Sequence, residues 1–529
     1  MRRFASALAA GFAITIPAAG LAAPASAATA APAAAVRVKV VGVDRNGHVI
    51  GRQQATLEAV NGQSYQVFGN SVRIPAGTYL IGGAVLTGEA SETLVVRQVR
   101  VTRSETVRLS AAGGKLVRAA LTGVSGVPDT TQVTACLGTR TDAETPVYAS
   151  GGGESALYAV PFRSRDVGFS YLASWQRSPA GYAISGSFAD GIPARVSFRQ
   201  RVSALARLTV NVRSGDSAAT DDLWSIGPGN SFHALCTPGM INATLPAPFS
   251  LTTYVTAGTW TTRVDGDYVN SRGQSFDIGL SYLVRKLAAR KAYRQVFGVA
   301  VAGPRPIQPA IDGNLFRFGA ADLFDIPGVQ DGGECCARST VALSLGRHKL
   351  WTAHLNEWRG RSYLQRTVTR AGWYNFDVSA ARWNPRGSEP ADLLSPRATI
   401  HWHFYIRPVA PAGDTVDFPV TVTAYEPRGL SSANQARPGA ATTIEFQIAR
   451  NSDSGDVRAR QYPFRTVRVL ASFNGGTSWH QVTISRHGSN WLAVVHDPAS
   501  GYVALRSVVT DTKGDSTTQT IYRAYAIAG

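Results

Sequence analysis

Methionine, cysteine and lysine are scarce in this chain of 529 residues, at two, four and six. No two cysteines form a C-x-x-C pair, which removes the usual signature of a structural zinc site or a dithiol redox centre. After the first 27 residues no apolar run reaches the ~18 residues that a membrane-spanning helix needs, so nothing later is expected to cross a bilayer. No later cysteine is placed to take a lipid, and no hydrophobic tail followed by basic residues closes the chain. Charged residues make up only 17%, and acids are outnumbered 35 to 53 by lysine plus arginine.

What is present points first to export. Arg2 and Arg3, the apolar stretch Leu8 to Ile16 and the small residues Ala25-Ser26-Ala27 form a secretory leader over 1–27, with cleavage expected before Ala28. A secreted, extracellular protein without an anchor is the expectation. The formal charge is +18, or +16 without Arg2 and Arg3, and arginine supplies 47 of the 53 basic residues. Such an excess attracts polyanions, which outside a cell means wall polymers, acidic glycans or released nucleic acid. The one dense cluster is Arg285, Lys286, Arg290, Lys291 and Arg294. It lacks interleaved aromatics, so a solvated basic face is expected there rather than a specific nucleic-acid groove.

The residue patterns are those of strands. Val467 to Phe473 largely alternates apolar and polar, Asn474-Gly475-Gly476 tolerates φ > 0, and Val482-Thr483-Ile484 resumes after Trp479, a hairpin signal. Trp491 to Val495, Tyr502 to Arg506 and Thr520 to Tyr525 follow, with Asp511 to Asp515 as a turn. This spacing predicts an immunoglobulin-like sandwich over 411–529. Upstream, 28–35 reads as a linker and 36–122 as a prealbumin-like sandwich. Residues 123–297 read as a β-rich domain and 298–410 as another sandwich. The stretch 281–297 is the best helix candidate. The expected class is all-β, several β-sandwich domains in tandem.

The chain resembles the long non-catalytic region that follows the protease domain in large secreted subtilisin-like serine peptidases of actinobacteria. The residues that carry this are Ser472-Phe473-Asn474-Gly475-Gly476-Thr477-Ser478-Trp479, Tyr502 to Arg506, Asp511-Thr512-Lys513-Gly514 and Ile521 to Tyr525. Val296-Phe297-Gly298, Asp331-Gly332-Gly333 and His401-Trp402-His403-Phe404 extend it upstream. The resemblance implies an accessory architecture with the protease domain absent. No H-G-T-H occurs, and Gly476-Thr477-Ser478 is followed by Trp479-His480 in a turn, so Ser478 has no triad around it.

Cys136, Cys236, Cys335 and Cys336 allow three disulfide pairings. A bridge between the neighbours Cys335 and Cys336 would be a strained ring, so Cys136 and Cys236 are each expected to meet one of that pair, with zinc near His233 as the rival. His401 and His403 share a strand face and could hold a metal, or simply be polar groups on an exposed face. Asp322, Asp325, Asp331 and Glu334 could ligate calcium or form a solvated loop. Glu357 and Asp377 could be paired as glycosidase carboxylates only if their separation allowed it. Most tryptophans, including Trp175, Trp402 and Trp491, sit in strand patterns and are expected in cores, with Trp479 placed in the last one.

No catalytic residue, metal or cofactor is assigned. The expected function is a non-catalytic secreted protein that binds at the cell surface or on a macromolecular substrate. Its expected partners are cell-wall polyanions, glycans or a secreted peptidase. The alternatives are an extracellular hydrolase with a hidden site, or an accessory partner of a peptidase. An aromatic row on an exposed sheet face favours glycan binding, and carboxylates converging in a pocket favour the enzyme.

Overall fold

The computed structural model describes residues 35–529 except 52, 60–61, 69–70, 139–144, 154, 215–220, 230–236, 270–274, 305–308, 321–322, 327–329, 334–336, 383–392, 410–414 and 452–461. The expected leader and nearly all of the expected linker lie outside the described residues. Among those described, every regular element is a strand except the 3-10 turns Val202–Ala204 and Glu357–Arg359, as the alternating patterns require. No helix among them is long and apolar enough to cross a membrane.

The chain begins with a two-sheet sandwich. Val36–Val43 pairs with Ser71–Ile74 and, in parallel, with Glu105–Ser110. That sheet faces one built on Gly77–Thr87 and Ser91–Val101, with Val38, Leu57, Ile81 and Val95 between them. A strand from beyond residue 122 completes this unit, Ala156–Ala159 pairing with Ser91–Val101, while Ser197–Arg201 pairs with Arg118–Thr122 in a separate two-stranded sheet. A seven-stranded sheet follows. Its Val133, Leu137 and Phe169 pack on Leu80 and Leu94 of the first sandwich. Its Leu208 and Val210 pack on Trp224 and Trp260 of a five-stranded sheet.

The helix expected over 281–297 does not form. Ser275–Leu287 is a strand paired with Gly258–Val269, and Ala292–Phe297 pairs in parallel with Ala206–Val212. Arg290, at φ 62°, turns the chain between them. Leu287-Ala288-Ala289 favours a helix locally, but sheet pairing on both sides outweighs that propensity. The basic cluster is therefore a strand–turn–strand corner, with all five cationic residues exposed and Arg285 over the Tyr293 ring at 4.8 Å.

The second half is organised by a nine-stranded sheet. Its order is His348–Asn356, Arg338–Leu345, Gly372–Ala381, Arg397–Ile406, Ser516–Ile527, Gly501–Asp511, Phe464–Ser472 and His480–Gln481, with Gln435–Ala436 also on Ser516–Ile527. The pairing of Arg397–Ile406 with Ser516–Ile527 bridges the expected boundary at 410/411, so these two regions share one sheet instead of following as separate beads. Two four-stranded sheets pack on its inner face. One brings Phe316, Phe318 and Phe418 against Phe376, Trp402 and Phe404. The other brings Tyr425, Ile444 and Phe446 against Val469, Leu505 and Ile521. Ala398, Ile521, Leu505 and Ala471 lie opposite one another across four strands, so both cores use the same face. The reverse face is covered by neither sheet.

Candidate ligand-binding face

Alternation dictates which residues reach that reverse face. On Arg397–Ile406, Ala398, Ile400, Trp402, Phe404 and Ile406 are buried, so Arg397, Thr399, His401, His403 and Tyr405 point outward. On Gly372–Ala381, Trp373, Asn375, Asp377 and Ser379 do the same. The register sets them in cross-strand pairs: Trp373 with Tyr405, Asn375 with His403, Asp377 with His401, and Ser379 with Thr399.

One end of the face is aromatic. Trp373 and Tyr405 remain 37% and 48% exposed, with their rings edge-on at 5.6 Å. The other side of Trp373 stacks on His403 at 4.9 Å and 5°. The imidazoles are held by neighbours: Asn375 Oδ1 lies 2.7 Å from His403 Nδ1, and Asp377 Oδ1 lies 2.7 Å from His401 Nδ1. Burial, with His401 adding to it, keeps the His403 imidazole below its usual pKa. The patch is backed by the Asp511–Asp515 turn. Asp511 Oδ1 accepts from the N–H groups of Lys513, Gly514 and Asp515, and the Tyr405 N–H donates to the Asp515 carboxylate. Burial and the neighbouring Asp511 push Asp515 up to about 6.

The other end is walled by the Ser472–Trp479 loop, which lies over this face. Asn474 Oδ1 accepts from the Ser478 N–H at 2.9 Å, and Asn474 Nδ2 donates to the Ser478 hydroxyl at 2.8 Å. The Gly476 N–H donates to Ser472 Oγ at 2.9 Å. Gly476 adopts φ 91°, and a Cβ there would meet Tyr522 at 3.0 Å, so only glycine fits. Trp479 is not in the core, contrary to expectation. Its indole N–H donates to the Gly476 carbonyl at 2.9 Å and its ring carries Arg506 at 3.9 Å, so it props the loop against the sheet. The chain then leaves the nine-stranded sheet after Gln481 and enters a four-stranded one at Thr483, so the hairpin spans two sheets.

The other expected sites separate. Cys136 is buried on Thr130–Leu137, while Cys236, Cys335 and Cys336 lie outside the described residues, as does His233. Asp322 and Glu334 are also outside them, and Asp325 pairs through its backbone with Gly303. Glu357 accepts from the Ala337 N–H, whereas Asp377 is held by His401, so each carboxylate has its own partner. Trp175 and Trp402 are core residues, and Trp491 is only partly buried. The exposed Trp373 carries no signal in the sequence that separates it from the neighbouring buried Tyr374.

No protein-family model matches the chain, and no curated protein matches it. Among solved structures it is similar to the Bacillus anthracis TIE protein, at 11% identity and a TM-score of 0.12, over 50% of each chain, so it spans half the length of that protein. It is also similar to BcpA, the major pilin subunit of Bacillus cereus, at 9% identity and a TM-score of 0.14, over 50% of this chain and 98% of the pilin. TM-scores this low carry no argument about arrangement or role.

Proposed function

We propose that the chain is a non-catalytic extracellular binding protein, and that the uncovered face of the nine-stranded sheet holds a macromolecular ligand, a glycan in particular. The observation that carries this is the pair Trp373 and Tyr405, exposed and edge-on to each other on a face whose reverse is solid apolar core. Leaving two large rings in water costs hydrophobic free energy unless a partner covers them. Their exposed apolar surface suits the apolar patches of sugars, and the adjacent polar row from Asn375 to Thr399 suits hydroxyl groups. The rigid backing turn and loop preorganise both ends.

The alternative of a hidden hydrolase has less support. Ser478 is tied to Asn474, and Glu357 and Asp377 serve separate local contacts. The sequence resemblance to peptidase accessory regions agrees with a binding role, and the leader over 1–27 agrees with export. Retention of the purified chain on insoluble cell-wall and plant polysaccharides tests the proposal. We expect retention that is lost in Trp373→Ala/Tyr405→Ala with the fold intact by circular dichroism; equal retention of wild type and variant would sink it.

A further inference from the structure

Where Phe464–Ser472 of the nine-stranded sheet meets the four-stranded sheet of Ala441–Arg450, Thr483–His487 and Asn490–His496, a cleft of about 490 Å³ opens. Arg450, Arg465 and Arg486 line it from three different strands, with Phe464, Thr466 and Trp491 among them. Neither Trp373 nor Tyr405 is among its described lining residues, so the cleft and the outer-face patch are separate surfaces.

A bulge builds one wall. Phe464 pairs with Asp511 and Thr466 with Thr510, which leaves Arg465 as an extra residue on its strand. In a regular ladder Arg465 would point away from the side that Phe464 and Thr466 take, whereas here all three line the cleft. Arg465 is exposed and makes no hydrogen bond or ion pair among the described residues. The other two arginines are held over rings. Arg486 donates from Nε to the Gly488 carbonyl at 3.2 Å and lies 5.6 Å over the Trp491 ring. Arg450 lies 4.2 Å over the Phe464 ring and donates from Nη2 to the Tyr462 carbonyl, while its buried Nη1 has no hydrogen-bond partner among the described residues. Burial lowers the Arg450 pKa, and Asp511, opposite Phe464, counters that as a nearby negative charge. Arg465 and Arg486 have no ion-pair partner among the described residues.

We propose that this cleft binds the phosphate groups of an extracellular phosphopolymer, a polyol phosphate in particular. Arg465 and Arg486 approach from strands of different sheets. Their guanidinium forks suit the oxygens of a tetrahedral phosphate, which point apart, better than the coplanar oxygens of a carboxylate. A single-stranded nucleic acid would also need rings on which to stack its bases. The rings of this cleft are already engaged: Phe464 carries Arg450, and Trp491 carries Arg486 and stacks on Phe446 at 6.1 Å and 20°. A polyol chain needs no such platform.

Titration of the full chain with poly(glycerol phosphate), polyglutamate, dextran sulfate and single-stranded DNA tests this. The expected result is that poly(glycerol phosphate) binds tightest, that salt weakens it, and that Arg465→Gln/Arg486→Gln weakens it by roughly tenfold or more. Arg465→Gln alone breaks no hydrogen bond or ion pair among the described residues, so it is expected to lose part of that affinity at an unchanged thermal midpoint. Lys286→Gln/Lys291→Gln removes the same charge from an exposed corner and is expected to bind like the wild type. Equal losses in the two double variants, or no loss in the arginine variants, overturn the site. Tighter binding of polyglutamate or dextran sulfate overturns the phosphate assignment, and tighter binding of DNA overturns the polyol one. Binding of none of the four removes the proposal and leaves the Trp373–Tyr405 face untouched.

Discussion

Single side chains on the outer face couple structure to solvent conditions. Asp515 is 6% exposed, supports the Tyr405 backbone, and has its pKa raised from 3.8 to about 6. A raised carboxyl pKa means the fold favours the protonated form. Its contribution is complete below pH ~4 and is lost as pH rises through about 6, by on the order of 2–3 kcal/mol. Asp515→Asn mimics the protonated acid and keeps an oxygen for the Tyr405 N–H. Urea unfolding is expected to show equal stabilities near pH 4 and a more stable variant near pH 7; a constant difference across that range would refute the titration. Ser478 belongs to this scale too. With its hydroxyl on Asn474, Ser478→Ala is expected to cost about 1 kcal/mol and to leave any trace peptide turnover in a purified sample unchanged. Turnover that vanishes only in that variant would reopen the enzyme reading.

At the scale of elements, a strand and a loop separate two tryptophans that look alike in sequence. Trp402 is 1% exposed, stacks on Phe376 at 5.9 Å, and donates its indole N–H to the Thr421 carbonyl at 3.1 Å. Trp479 is partly exposed and rests on a loop and an arginine. Trp402→Ala is therefore expected to cost about 3–5 kcal/mol, against about 1–2 kcal/mol for Trp479→Ala, measured by chemical denaturation. Near-equal costs would place Trp479 in the core after all. The inward residues of Arg397–Ile406 were legible from alternation alone. The helix expected over 281–297 was not excluded by its residues, because alanine, leucine and arginine suit helices and the pairing partner lies at Gly258–Val269.

Across the whole molecule, one asparagine joins the two halves. Asn434 is fully buried at φ 52°. Its Oδ1 accepts from Arg213 Nη1 and the Ala300 N–H, both at 3.1 Å, and its Nδ2 donates to the carbonyls of Ser214 and Gly298 at 3.0 and 2.7 Å. Every hydrogen-bonding capacity of the amide is used, on segments more than 130 residues away. Asn434→Ala leaves buried backbone groups unpaired and is expected to cost about 3 kcal/mol. Limited proteolysis is expected to cut the variant between the halves sooner than the wild type; an unchanged digestion rate would show that the joint is held elsewhere.

The residues themselves determined the strand class, most inward faces, the turn at Asn474-Gly475-Gly476 and the local hydrogen bonding of Ser478, because these depend on a period of two and on backbone freedom. Only the tertiary structure decided that Trp373 stays exposed while Tyr374 is buried, that Trp479 props a loop, and that Tyr522 and Arg523 share a cleft. Each depends on which face the two smaller sheets cover, or on a bulge in the pairing of Gly501–Asp511 with Ser516–Ile527, and the alternating pattern of the residues shows neither.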